Sequence, residues 1–144
     1  MKRVLVLALA VVLLFALAGC RKAEKAKQQI VELVEDNYDT ILMACKEKNT
    51  DALLTIDGIG EVAVVDGYVL VYCTGAGIAP SSQDYGFYYS EENQPVGVDC
   101  CLTIACDPED MTPEGSGYQY YDSSYNGFYT EHIKGNLYFY SNSY

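Results

Sequence analysis

The stretch Glu61-Val62-Ala63-Val64-Val65-Asp66-Gly67-Tyr68-Val69-Leu70-Val71-Tyr72-Cys73-Thr74 decides the fold. Two β-branched and aromatic runs flank Asp66-Gly67, a dipeptide that favours a two-residue hairpin loop. Glu61 to Val65 and Tyr68 to Thr74 are therefore expected as paired antiparallel strands. Downstream, Gly75 to Ser82 is rich in small residues and reads as a loop. Tyr85 to Ser90 and Val96 to Cys101, flanking Glu91 to Pro95, read as a second hairpin, with Leu102 to Cys106 continuing its second strand. Asp107 to Gly115 is an acidic loop punctuated by Pro108 and Pro113. Tyr118 to Tyr121, Phe128 to Ile133 and Leu137 to Tyr140 read as closing strands, the last two joined around Lys134-Gly135-Asn136.

Upstream of the hairpin the period is helical. Ile30, Leu33, Val34, Tyr38, Ile41, Leu42 and Cys45 recur at three- and four-residue steps, which places them on one face of a helix from Ala23 to Lys48, with Glu32, Glu35, Asp36, Asp39, Lys46 and Lys48 behind. Asn49-Thr50-Asp51 offers a stop and a new N-cap, so Asp51 to Ile56 reads as a short second helix. One long N-terminal amphipathic helix followed by about seven strands without helical crossovers predicts an α+β fold, the helix packed on an antiparallel sheet.

The first residues follow a different logic. Lys2 and Arg3 precede an unbroken apolar run from Val4 to Ala18, which suits a signal peptide and is shorter than the roughly 20 residues a membrane span needs. The run ends in Leu17-Ala18-Gly19-Cys20, which resembles the lipobox of bacterial lipoproteins. That resemblance implies diacylglyceryl transfer to the Cys20 thiol and cleavage between Gly19 and Cys20. Two acyl chains give lasting attachment where one gives marginal binding. The chain then divides into a signal peptide (1–19), a lipidated Cys with a basic tether (20–28) and an α+β domain (29–144). Arg21, Lys22, Lys25 and Lys27 would favour anionic headgroups. Arg21 also occupies the position after the Cys where an Asp retains some lipoproteins at the inner membrane. The expected location is the cell membrane, facing outside the cytoplasm, or the outer membrane of a two-membrane cell. Val65-Asp66-Gly67-Tyr68 and Tyr85-Gly86-Phe87-Tyr88-Tyr89 resemble small lipoproteins of Gram-positive anaerobes, a resemblance that implies no activity.

The 144-residue chain has formal net charge −11, and with Lys2 and Arg3 set aside in the leader the rest carries 20 acids against 7 bases. Nucleic acid is excluded as a partner on that balance. Apart from Cys20 there are five cysteines, Cys45, Cys73, Cys100, Cys101 and Cys106, an odd number for an exported domain. Cys45 and Cys73 read as small buried hydrophobes, and Cys106 is within reach of a bridge to Cys100 or Cys101. Zinc would need a Cys-x₂-Cys pair or further His, and His132 is the sole His. It sits beside Glu131 in a strand, where neighbours point apart, so no catalytic arrangement forms around it. Asp107, Glu109, Asp110 and Glu114 offer oxygens to calcium without the EF-hand order, so a solvated loop is the plainer reading. No metal or dissociable cofactor is expected, only the covalent diacylglyceryl group on Cys20.

Tyrosine is the unusual feature, with 13 of 14 between Tyr68 and Tyr144. Strand alternation would put some rings in the core and line the other face with hydroxyl-bearing ones. Tyr85, Tyr88, Tyr89, Tyr120, Tyr129, Tyr138 and Tyr140 form the expected binding surface, the alternative being that Tyr serves simply as a strand former. The functional expectation is a non-enzymatic, lipid-anchored module binding a protein, peptide or envelope glycan. The alternative is a small envelope hydrolase using carboxylates on the Tyr-rich face, and a third reading is a scaffold that occupies a surface complex.

Overall fold

The structure is a computed structural model describing residues 22–78 and 81–144, so the leader and Cys20 lie outside the described residues. Helix α1 covers residues 22–36, α2 is Tyr38–Lys46 and α3 is Thr50–Leu54. Nine strands follow: β1 Glu61–Val65, β2 Tyr68–Ile78, β3 Ser81–Ser90, β4 Gly97–Val98, β5 Ile104–Cys106, β6 Thr112–Glu114, β7 Gly117–Tyr121, β8 Gly127–Lys134 and β9 Leu137–Ser143. Seven form one antiparallel sheet in the order β1-β2-β3-β9-β8-β7-β6, and β4 pairs with β5 separately.

The decisive hairpin forms as expected, with Val65 opposite Tyr68 and Gly67 in the left-handed region at φ 76°. The expected loop from Gly75 to Ser82 is strand up to Ile78 and again from Ser81, with Ala79 and Pro80 outside the described residues. Strand β2 continues to Ile78 and pairs with β3 through Gly75–Asp84 and Gly77–Ser82. Small residues have low strand propensity, but past a bulge between Tyr72 and Thr74 the ladder to β3 carries on through them, and tertiary pairing overrides propensity. The expected second hairpin is also replaced. Tyr85 to Ser90 is the sheet's central strand, held between β2 and β9. Val96 to Cys101 instead feeds β4, which turns back at Asp99–Leu102 into β5. The expected acidic loop contributes a 3₁₀ turn at Pro108–Asp110 and the edge strand β6.

The expected single helix is divided at Asn37, whose backbone (φ −115°, ψ 19°) leaves the helical region. The Asn37 amide donates to the Leu33 carbonyl at 2.9 Å, the local competition that makes Asn a poor helix interior. The apolar face survives the break: Ile30, Val34, Ile41 and Cys45 are buried, and Leu33, Tyr38 and Leu42 pack at its margin. Residues 22–28, expected as a tether, belong to α1, and Ala26 is part of the core.

Both faces of the central sheet are covered. The helices bury Val69, Val71, Phe87, Tyr89, Leu137 and Phe139 on one side. On the other, the β4–β5 ribbon crosses β9 and β8 and buries Leu70, Tyr88, Tyr138 and Tyr140 beneath Val96, Val98 and Leu102. Each such apolar side chain contributes about 1.5–3 kcal/mol by leaving water. A strand covered on two faces needs large side chains at successive positions, which is why Phe87, Tyr88 and Tyr89 are all buried.

Candidate functional site

Beyond the end of α1, the helix-side face of β3, β9, β8 and β7 continues as a row of alternating polar positions. Register places Gln83, Ser143, Gly127 and Tyr121 on one cross-strand rung, and Tyr85, Ser141, Tyr129 and Gln119 on the next. Directly opposed residues share a face, so the two rungs form one platform made only of Tyr, Gln, Ser and Gly. A cavity of about 340 Å³ lies against it, lined by Ala23, Glu24, Lys27, Tyr85, Tyr129, Phe139 and Ser141. It adjoins a recess of about 120 Å³ over Gln83, Gln119, Gly127 and Ser143. Glycine matters here: a Cβ at Gly127 would meet Ser143 Oγ at 2.9 Å and the Tyr121 ring at 3.1 Å, so its absence keeps the floor low.

Hydrogen bonds along each strand fix the side chains. Tyr85 donates to Gln83 Oε1 at 2.5 Å, Gln119 Nε2 donates to Tyr121 Oη at 2.6 Å, and Tyr129 donates to Glu131 Oε2 at 2.5 Å. Lys27, on α1, closes one end through Glu131 at 2.6 Å. Burial opposes ionisation of Glu131, but the hydrogen bonds from Lys27, Tyr129 and Ser116 outweigh it and hold the carboxyl below its usual range. Burial, then the hydrogen bond to Glu131, pushes the Tyr129 hydroxyl up. The platform therefore presents neutral hydroxyls and amides, with a charge pair satisfied at its edge.

The tyrosines expected as a binding surface are distributed otherwise. Tyr88 is fully buried, and Tyr89, Tyr138 and Tyr140 are 7% exposed or less, so their rings are core. Tyr85, 3% exposed, packs in the helix-side core and meets the platform only where it lines the cavity and the recess. Tyr120 is half-buried against Phe128 on the ribbon side, and Tyr129 reaches the platform. Tyr121 has 59% exposure and was missed by sequence reasoning, as were Gln83, Gln119, Ser141 and Ser143. The signal that marks them is the alternate-position pattern Gln-x-Tyr at 83–85 and 119–121, and Ser-x-Ser at 141–143. An ordinary core strand carries apolar residues at such positions.

The other candidates are kept apart from this face. His132 is exposed and its Nε2 lies 2.7 Å from the Gly135 carbonyl, closing the β8–β9 turn. Among the described residues no cluster of three or more His, Cys, Asp or Glu could hold a metal ion, the acidic segment 107–114 included. Cys45, Cys73, Cys100, Cys101 and Cys106 all stand as free thiols. Cys106 therefore makes no bridge; its thiol points at Met111 Sδ, 3.2 Å away. Among the described residues no helix is long and apolar enough to cross a membrane.

These features define the class: an α+β domain whose antiparallel sheet lies between helices and a β-ribbon, with an uncharged polar platform beyond the helices. No family model matches the chain, and comparison with curated proteins and with solved structures finds no significant match in either.

Proposed function

We propose that the chain is a bacterial lipoprotein, anchored by a diacylglyceryl group on Cys20 and facing outside the cytoplasm, whose platform binds a neutral, hydroxyl-rich envelope glycan. The observation that carries the ligand class is the pair of rungs, eight positions without a charged side chain in a body of strongly acidic composition. Tyr, Gln and Ser donate to and accept from sugar hydroxyls, and the Tyr121 ring beside Gly127 offers a face for a sugar ring. Position supports the reading as well. Ala23 lines both the cavity and the recess and is three residues from Cys20, so about 10 Å of chain at most separates the platform from the anchor. A glycan held there lies close to the membrane surface.

A carboxylate hydrolase requires a carboxyl kept protonated as general acid. The Glu131 carboxyl is biased the other way by Lys27, which favours binding over hydrolysis. Full-length protein in detergent, titrated with glycan fractions of the envelope, tests the ligand class. Tyr121→Ala and Gln119→Ala are expected to weaken retention about tenfold each, or about 1.4 kcal/mol. Tyr118→Ala, on the opposite face, is expected to leave it unchanged. Equal retention by all four proteins, or retention only of polypeptide, contradicts the glycan reading.

A further inference from the structure

Cys100 and Cys101 are adjacent, both exposed, with their sulfurs 3.9 Å apart. The turn that carries them is braced from several sides. Asp99 Oδ1 accepts the Cys101 and Thr103 backbone N–H groups at 2.9 and 3.0 Å, and Asp99 Oδ2 accepts the Thr103 hydroxyl at 2.8 Å. Tyr144 Oη accepts the Cys100 N–H at 2.8 Å, and the Leu102 side chain is buried in the ribbon-side core. The remaining described thiols are unlike this pair. Cys45 and Cys106 are buried and Cys73 is half-buried, and burial pushes all three thiols up. The hydrogen bond with Cys100 raises Cys101 as well, so exposure and the closeness of the two sulfurs set the pair apart.

We infer that Cys100–Cys101 is a reversible thiol–disulfide exchange site, closing to a vicinal disulfide when it meets a small-molecule or protein disulfide. Closure needs the sulfurs to approach from 3.9 Å to about 2.05 Å, by side-chain rotation together with a local adjustment of the peptide between Cys100 and Cys101, which becomes part of an eight-membered ring. The step balances. The Cys100 thiol gives its proton to water, and its thiolate attacks one sulfur of the oxidant, expelling a first thiolate and leaving a mixed disulfide. The Cys101 thiolate then attacks Cys100 Sγ and expels the second. Two electrons pass from the pair to the oxidant, whose two thiolates take up the two protons.

The product is built to be labile. Adjacent Cα atoms across a trans peptide are about 3.8 Å apart, below the roughly 4.4–6.8 Å of ordinary disulfides, and strained, exposed disulfides are the readily reduced ones. That combination fits a site that cycles rather than a structural staple.

Full-length protein in detergent, treated with oxidised glutathione, alkylated, unfolded and alkylated again, tests the inference by peptide mass. The peptide carrying Cys100 and Cys101 is expected lighter by two hydrogens and unalkylated, and to regain two alkylatable thiols after dithiothreitol. Cys45, Cys73 and Cys106 are expected to be alkylated once unfolded. Cys101→Ser is expected to stop at the glutathione adduct on Cys100, because no second sulfur resolves it. Two alkylatable thiols after oxidation, a wild-type protein halted at the adduct, or cross-linked chains would each overturn the inference.

Discussion

The Lys27 ammonium lies 2.6 Å from a Glu131 carboxylate oxygen, tying α1 to β8 across 104 residues of sequence. The pair fixes the end of α1 over the platform. Burial alone would lower the Lys27 pKa, but the Glu131 hydrogen bond and charge raise it above its ordinary value, while Glu131 is lowered. The Glu131 contribution is thus present above about pH 4.3 and fades as pH falls through the depressed value, and the Lys27 contribution fades only above about pH 10.4. Glu131→Gln is expected to cost about 1 kcal/mol at pH 7 and nothing near pH 2, read from urea midpoints at both pH values. An equal cost at both would show that the side chain acts by packing alone.

Tyr88 and Tyr140 are both buried, yet their hydroxyls stand differently. Val96 N–H donates to Tyr88 Oη at 3.0 Å, and Thr130 Oγ1, 2.8 Å away, itself donates to the Phe139 carbonyl at 2.9 Å, so Tyr88 donates to Thr130. Tyr140 Oη has no partner among the described residues. Tyr88→Phe, which orphans the Val96 N–H, is expected to lose about 1–3 kcal/mol. Tyr140→Phe removes an unmet group and is expected to leave stability level or raise it by about 1 kcal/mol. Chemical denaturation of the two variants side by side checks the contrast.

Two glycines separate fold from function. A Cβ at Gly86 would fall 1.9 Å from the Val71 carbonyl oxygen and 2.6 Å from the Tyr140 ring, with backbone on one side and core on the other. Gly86→Ala is expected to abolish the cooperative unfolding transition. At Gly127 the close atoms are the ends of Ser143 and Tyr121, which can move. Gly127→Ala is therefore expected to fold, at a cost of about 1 kcal/mol, while raising the platform floor and weakening glycan retention.

The hairpin around Asp66-Gly67, the apolar face running from Ile30 to Cys45 and the closing strands β7, β8 and β9 were legible because each rests on local periodicity or turn chemistry. What was not legible is long-range. Phe87 opposes Phe139, and Tyr88 opposes Tyr138 with ring centroids 5.2 Å apart and planes 4° from parallel. Nothing in the local pattern of either strand announces that partner. Alternation predicts one wet face, and only the crossing of the ribbon over β9 and β8 turns the wet face into a second core. That crossing buries Tyr88, Tyr138 and Tyr140, three of the tyrosines expected to bind ligand, while the helices bury Tyr85 and Tyr89. The platform lay hidden for the same reason, since Gln83, Ser143, Gly127 and Tyr121 become neighbours only through the register of four strands.

The proposed anchoring at Cys20 underlies the proposed placement of the platform at the membrane surface, and palmitate labelling of cells producing the wild type or Cys20→Ala, followed by membrane fractionation, tests it directly. Wild-type protein is expected to carry the label and sediment with membranes, and Cys20→Ala is expected to lose both. Label and membrane association that survive the substitution would contradict the lipoprotein reading.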